Sequence, residues 1–557
     1  MRHWRANLVL GIFFLFGAAL IGRLVFLQIL HHGFYLALAQ GQQNLSSLAK
    51  GERGDIFLRD KNGNLYTLAE NQEVPFVFVS PPEGKDIEAT AVRLAGALGL
   101  DQQVVLLKLQ KKDSLYEVLK KRISAQEQEF LEQEQIPGVY LGRERIRSYP
   151  RQTLASHVIG FTNQDGKGQY GVEEYYNDLL EGKEGLRKTS KNPASYLLRA
   201  FEDTLKDGSD VVVTIDYHIQ AMAESLLHEA TGKLHAQGGT IIVMDPLSGK
   251  ILALADFPNF NPNEYSKVQD LRIFQNPAIQ KIHEPGSIFK PITMAAAIDT
   301  KAVTPDTTYV DKGIVEIGRR EIYNYDRRTW GQRSMTEVLE FSINTGAVFA
   351  EQQFGHENFL RYIKKFDIFN PTRVDLAGEV SSTSAEFQKG YEINFATAAF
   401  GQGIEMTPLQ IARAFCAIAN NGILVEPFIV EKEKSNGEHP PPIISSQTSS
   451  QITSMLVNVV EHGFGKAAKI PGYYIAGKTG TAQISWSALG IAKSGYSDKT
   501  IQSFVGYAPA FNPRFLIIVQ FDNHQTKTAE YSAIPVFPEL AKYIIDYYQI
   551  PPDYEAE

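Results

Sequence analysis

The chain has 557 residues, more than one ordinary hydrophobic core accommodates, so two or three domains are expected. Hydrophobic residues make up 43% and charged residues 21%, which excludes a disordered polymer. The net charge of -8 leaves no basic footprint, and nucleic acid is excluded as an expected partner.

The N-terminus predicts a membrane anchor. Leu8 to Ile21 is an uninterrupted apolar run, and apolar character resumes after Arg23 through Leu30. Together they give roughly 20–23 residues, enough to span a bilayer. Arg2 and Arg5 precede the run and set the N-terminus on the cytoplasmic side. A cleaved signal peptide is the alternative, with Ala37-Leu38-Ala39 as its processing site. The length of the apolar stretch favours an uncleaved anchor, with Arg23 snorkelling to the outer interface. The expected organisation is a cytoplasmic tail over 1–7, a transmembrane helix over 8–30, a non-catalytic pedestal over 31–205, a catalytic domain over 206–550 and a tail over 551–557.

In the pedestal, Val74 to Val79 reads as a strand, and Ser114 to Gln135 as a charged helix with Leu115, Val118 and Leu119 at helical spacing. No constellation there could run a reaction. Beyond Asp207-Gly208, Thr240 to Asp245 and Ile251 to Ala255 flank the turn Pro246 to Lys250, a hairpin signal. Alanine-containing helical segments follow from about 287 to 420. Within them Cys416, the only cysteine, lies in the apolar run Ile411 to Ile418 and reads as a buried small hydrophobe. No intramolecular disulfide is possible. Glu438 to Ile443, rich in proline, reads as a surface loop. Strand runs return at Tyr473 to Gly477, Ser503 to Tyr507 and Phe515 to Phe521. Strands from both ends with helices between predict one α+β domain.

Three short motifs carry the chemistry. Ser287-Ile-Phe-Lys290 follows Pro285-Gly286, a break that suits a helix start. Residues i and i+3 share a helix face, so the Lys290 amine can reach the Ser287 hydroxyl. Pro291 is compatible, because the carbonyl its ring crowds is that of Ser287 at the helix edge. Ser47-Leu-Ala-Lys50 is a second copy without a preceding strand and is read as chance. Ser342-Ile-Asn344 is the second motif; alone it is uninformative, since Ser190-Lys-Asn192 also matches and Ser342 could simply cap a helix. Lys478-Thr-Gly-Thr481, within the strand-like run Tyr473 to Ile484, holds the sole Lys-Thr-Gly of the chain. Glycine at 480 would let a substrate backbone lie along that strand. The order Ser-x-x-Lys, Ser-x-Asn, Lys-Thr-Gly is the set of β-lactamases and penicillin-binding proteins, with Ile343 where aspartate is common.

At this point the chain resembles the class B penicillin-binding proteins, nearest their division-type FtsI/SpoVD group. The resemblance extends to Arg53 to Asp60 with Asn62-Gly63, to Arg147 to Pro150, to His157 with Gly160, and to Gly171 to Glu173. It also covers Phe400 to Gly403 with Thr407 to Gln410, and Ser503 to Gly506. It implies an elongated α+β pedestal of dimerisation type, then a transpeptidase domain like serine β-lactamases, with a mainly antiparallel sheet flanked by helices. It implies a peptidoglycan D,D-transpeptidase acting in septal wall synthesis at the plasma membrane, without cofactor or metal. D-Ala-D-Ala stem peptides and β-lactams would be its ligands, and an FtsW-type SEDS glycosyltransferase and other divisome proteins its partners.

On this reading Ser287 is the nucleophile and Lys290 its base. Lowering the Lys290 pKa to about 7 requires roughly 4–5 kcal/mol of differential destabilisation, which burial and Lys478 would supply. Ser342 would relay a proton to the leaving amine, and Asn344 would orient Lys290 or the substrate amide. By resemblance, the N–H groups of Ser287 and Thr481 form the oxyanion hole; Thr479, Thr481 and Lys478 would hold the substrate's terminal carboxylate, with Gly480 in the same substrate-binding strand. An elongation-type transpeptidase, an anchored β-lactamase or carboxypeptidase, and an inactive divisome scaffold are the alternatives.

Overall fold

The computed structural model describes residues 4–26, 49–185, 206–431, 440–522 and 526–555. Ala37 to Ala39, Ser47 and Leu48 of the Ser47 motif, Ser190 to Asn192 and the start of the proline-rich loop lie outside the described residues. Helix α1 (Trp4–Val25) exposes Phe13, Phe14, Phe16 and Ile21. Among the described residues no helix is long and apolar enough to cross a membrane, so the expected anchor rests on the sequence pattern.

The chain folds as two compact units, each built from non-contiguous stretches. The first comprises residues 1–54, 70–148 and 181–209, and the second 55–69, 149–180 and 210–557. Strands β1 (Ile56–Arg59) and β2 (Leu65–Val79) form a hairpin at Arg59↔Leu65. In the first unit α2 (Ile87–Leu98) and α3 (Gln102–Leu109) begin at Asp86 and Asp101, whose carboxylates accept N–H groups of the first turn.

The expected helix over 114–135 is corrected. Glu117–Lys120 is instead strand β3, paired antiparallel with β2, and only α4 (Ala125–Glu134) is helical, entered through a Ser124/Glu127 capping box. Val118 packs with Phe76 and Phe78, whereas adjacent Leu119 joins the separate cluster of Val77, Leu94 and Leu98. Neighbouring residues buried on opposite faces require the two-residue period of a strand. Strand β4 (Val139–Ser148) pairs with β2 from Glu70 to Val79.

The second unit holds β5 (Val211–Asp216), which runs parallel to β1, and α5 (Tyr217–Leu234). Strands β6 (Gly238–Met244) and β7 (Ile251–Phe257) form the expected hairpin. Helices α6 (Lys290–Asp299), α7 (Met335–Glu340), α8 (Asn344–Phe354), α9 (Pro408–Ala419) and α10 (Ser446–Glu461) make the helical middle. The small hairpin Ile314–Ile317 with Arg320–Tyr323 lies between α6 and α7 in sequence. Strands β8 (Ala476–Ser485), β9 (Tyr496–Ala508) and β10 (Phe515–Asp522) return to the sheet, and α11 (Ala533–Tyr548) closes the chain. The strand expected from Tyr473 begins only at Ala476.

The sheet order is β7-β6-β10-β9-β8, antiparallel throughout, so strands from both ends of the domain form one layer. Strands β6 and β10 and the second half of β9 are buried on both sides, because alternate residues serve different cores. Ile241, Val243, Phe504 and Ile517 face α5 and α11, sharing a cluster with Leu227, Phe537 and Leu540. Ile242, Met244, Val505 and Ile518 share the other core with Ile292, Ala295, Leu409 and Leu456. Cys416 is fully buried in that core on α9, and burial pushes its thiol pKa up, as expected of a small hydrophobe.

Candidate active site

The first motif folds as a short 3-10 turn, Gly286–Phe289, that feeds α6 at Lys290. The expectation of an α-helical start is adjusted, with a physical gain. In a 3-10 turn side chains at i and i+3 eclipse, which aligns Ser287 with Lys290. The Lys290 Nζ lies 3.1 Å from Ser287 Oγ. The Lys290 N–H donates to the Ser287 carbonyl, so Pro291 leaves that carbonyl satisfied despite having no N–H.

Ser342 sits between α7 and α8 with φ +53, a left-handed conformation unusual outside glycine. It caps no helix: Ile343 occupies the N-cap position of α8, with no side-chain cap bond. Instead Ser342 presents both its carbonyl, 2.5 Å from Lys290 Nζ, and its hydroxyl, 3.1 Å from the same atom. Asn344 Oδ1 accepts from Lys290 Nζ at 2.8 Å, while Asn344 Nδ2 donates to the Tyr323 carbonyl at 3.0 Å. Because that carbonyl can only accept, the amide orientation is fixed with its oxygen toward Lys290.

Lys478 enters from β8, the edge strand of the sheet. Its Nζ donates to Ser342 Oγ at 3.0 Å and to the carbonyl and hydroxyl of Thr479. Ser342 Oγ therefore bridges two buried lysines. Burial, and then the charge of Lys478, hold the Lys290 amine well below the ordinary lysine value. Burial pushes Lys478 down to about 7.

A proton count then constrains the chemistry. Two of the acceptors around Lys290, the Ser342 carbonyl and Asn344 Oδ1, can only accept. A neutral amine spends its two N–H bonds on them and keeps its lone pair for a hydroxyl. Ser287 Oγ is within reach as the donor, the arrangement of a serine activated by a general base.

A cleft of about 940 Å³ opens over this group and is lined by Ser287, Ser342, Asn344, Thr479, Thr481 and Gln483, with Tyr323 and Tyr325 also facing it. Thr479 and Thr481 are half-buried between buried Lys478, Gly480 and Ala482, the two-residue alternation of a strand. The edge position leaves β8 available to an extended peptide as an added strand. Packing gives a reason of its own for Gly480. A Cβ there would lie 2.8 Å from Ile288 Cγ2 and 2.4 Å from Ser503 Oγ, so the missing side chain lets β8 lie against the Ser287 turn.

The structure thus joins Ser287, Lys290, Ser342, Asn344 and Lys478 in one chain of hydrogen bonds, centred on Lys290 and Ser342, and places Thr479, Gly480 and Thr481 next to Lys478 on β8. Sequence reasoning missed the support beneath Asn344. Buried Asp311 accepts from Thr345 Oγ1, from Asn324 Nδ2 and from the N–H groups of Gly313 and Trp330. Asn324 Oδ1 in turn accepts the Thr345 N–H, fixing the start of α8. Removing the carboxylate in Asp311→Ala leaves several buried donors unmatched, each at about 1–3 kcal/mol. A loss of at least about 3 kcal/mol is expected, read as a lower urea midpoint at unchanged m-value. An unchanged midpoint would mean that this network supports nothing.

Comparison with known proteins agrees over nearly the whole chain. The penicillin binding protein transpeptidase domain matches residues 239–542, and the penicillin-binding protein dimerisation domain matches residues 48–213. Stage V sporulation protein D of Bacillus subtilis is 33% identical over 532 residues, covering 90% of this chain and 80% of that protein. The probable peptidoglycan D,D-transpeptidase PbpC of Pseudomonas aeruginosa is 32% identical over 564 residues, covering 99% and 96%. Among solved structures, penicillin binding protein 3 of Mycobacterium tuberculosis, complexed with aztreonam, superposes with a TM-score of 0.69 at 25% identity, covering 91% of this chain and 99% of that one.

Proposed function

The chain belongs to the class B penicillin-binding transpeptidases, and we propose that it crosslinks peptidoglycan stem peptides in septal wall synthesis through an acyl-enzyme on Ser287. The observation that carries the assignment of Ser287 is the Lys290 amine. Its N–H bonds are claimed by two carbonyl acceptors, and a hydroxyl stands 3.1 Å from its nitrogen. Lys290 takes the Ser287 proton as Oγ attacks the penultimate D-Ala carbonyl. The N–H groups of Ser287 and Thr481 receive the developing oxyanion, each such donor being worth about 3–4 kcal/mol. The bond to the terminal D-Ala breaks, and its amine leaves with a proton passed through Ser342. Lys478, Thr479 and Thr481 hold the terminal carboxylate beforehand, with Gly480 keeping β8 close. An amine of a neighbouring stem peptide then attacks the ester, forming the crosslink and returning the proton to Ser287.

Septal duty, with an FtsW-type SEDS glycosyltransferase and divisome membrane proteins as partners, follows from the motif resemblance to the division-type FtsI/SpoVD group. The plasma membrane is the proposed location, with the N-terminus cytoplasmic and the catalytic domain outside. Its support is the run Leu8 to Ile21 after Arg2 and Arg5.

Fluorescent penicillin tests the site directly. Wild type is expected to label in a single burst with negligible turnover and to carry the adduct on the peptide containing Ser287 by mass spectrometry. Ser287→Ala is expected to show no label. Labelling that survives in Ser287→Ala refutes the nucleophile, and rapid penicillin hydrolysis by wild type points to a β-lactamase instead.

A further inference from the structure

The segment leading into Ser287 is fastened at three of its four preceding residues. His283 exchanges both backbone hydrogen bonds with Met406, at 3.0 and 2.9 Å. The Gly286 N–H donates to the Gly401 carbonyl at 3.0 Å. Between them, the Glu284 side chain makes the fastening that does not come from the segment's own backbone. Its Oε1 accepts the Gly403 N–H at 3.0 Å, and the Tyr496 hydroxyl donates across the carboxylate, 2.9 Å from Oε2 and 3.1 Å from Oε1.

These two partners belong to different sides of the site. Gly403 ends the turn Phe400-Gly401-Gln402-Gly403, which packs directly on the nucleophile turn: a Cβ at Gly401 would lie 2.1 Å from the Gly286 carbonyl oxygen. Tyr496 opens β9 and pairs with Ser485 at the far end of β8. On its other side Gly286 meets β8 itself, since a Cβ there would lie 3.1 Å from the Thr481 carbonyl oxygen and from Ala482 Cβ. The stack runs Gly401, Gly286, then Thr481 and Ala482, with Glu284 tied to both outer layers. The Ser287 and Thr481 N–H groups come from the inner and one outer layer of that stack.

We propose that Glu284 is a positioning residue for acylation, holding the 400–403 turn and the β8–β9 hairpin against the nucleophile turn so that the Ser287 and Thr481 N–H groups converge on one oxygen. The inference rests on the reading of Ser287 as the acylated residue. It acts on the geometry of the transition state and not on the Lys290 proton, which sets the signature to look for.

Full-length variants are compared by the maximal rate constant of fluorescent penicillin acylation, the half-saturating concentration and the pH midpoint of the acid limb. Glu284→Ala is expected to lower the rate constant about 10–100-fold, with half-saturation changed by less than about threefold and the pH midpoint unmoved. Glu284→Gln keeps an oxygen for the Gly403 N–H and is expected to recover the rate to within about fivefold of wild type. Tyr496→Phe is expected to slow acylation about threefold to tenfold in wild type and not at all in Glu284→Ala, because the two act through one contact. An unchanged rate constant, additive losses or a shifted pH midpoint overturns the proposal. If Glu284→Ala fails to fold, Tyr496→Phe alone decides, and a rate constant equal to wild type or a shifted pH midpoint there overturns it. Wild-type labelling at a residue other than Ser287 is a different outcome, which removes the underlying site assignment.

Discussion

Replacing Lys290 with arginine or methionine is expected to slow acylation of Ser287 by about 10³-fold, the middle of the range for a lost general base. The pair of variants separates two roles. Arginine keeps the positive charge but cannot release its proton near neutrality, whereas methionine removes both charge and lone pair. If the lone pair matters, both fall together; if only the charge mattered, arginine would stay active. The pH profile carries the sign. Only the neutral amine can take the Ser287 proton, and burial together with Lys478 holds Lys290 well below the ordinary lysine value. In wild type the acylation rate therefore rises with pH through that lowered value and then levels. Both variants are expected to lose this limb. An acid limb that survives in Lys290→Met would assign it to another group and remove Lys290 as the base.

The sheet domain and the members of its site were legible because both depend on local signals. The turn between β6 and β7 and the two-residue alternation along β8 can be read from neighbours in sequence, and the three motifs name their own residues. What was not legible depends on contacts across long stretches of chain. Leu115, Val118 and Leu119 satisfy helical spacing, yet Val118 and Leu119 bury on opposite faces once Glu117–Lys120 pairs with β2. No local rule could weigh that pairing. Asp311 gives no signal as a hub, since Asn324, Trp330 and Thr345 meet it only through folding. Gly480 gives no local sign of the protein atoms it makes room for, those of Ile288 and Ser503. The glycines of Phe400 to Gly403 carry no local signal beyond the resemblance, and the physical reason for Gly401 is its backbone contact with Gly286.

Lys478→Met is expected to lower the ratio of acylation rate constant to half-saturating concentration by about 10²–10³-fold, because the variant loses charge-assisted hydrogen bonds of about 1.5–3 kcal/mol each to the ligand carboxylate. It is also expected to move the acid limb of acylation to higher pH. The charge of Lys478 is the second cause of the lowered Lys290 value, so removing it lets Lys290 hold its proton to higher pH. The move is partial, since burial, the larger cause, remains. Stability should change in the opposite sense from activity. Folding brings Lys478 from its usual value near 10.5 to about 7, so between these values the unfolded chain binds more protons than the folded one. Wild-type stability therefore rises with pH across that window, and the full penalty is present below about 7. Lys478→Met, free of the penalty, is expected to unfold at higher urea than wild type at about pH 6, with the gap closing as pH approaches about 10. A variant less stable at pH 6, or an acid limb that stays in place, contradicts the picture of two buried lysines in which burial and the charge of Lys478 keep Lys290 ready to take a proton.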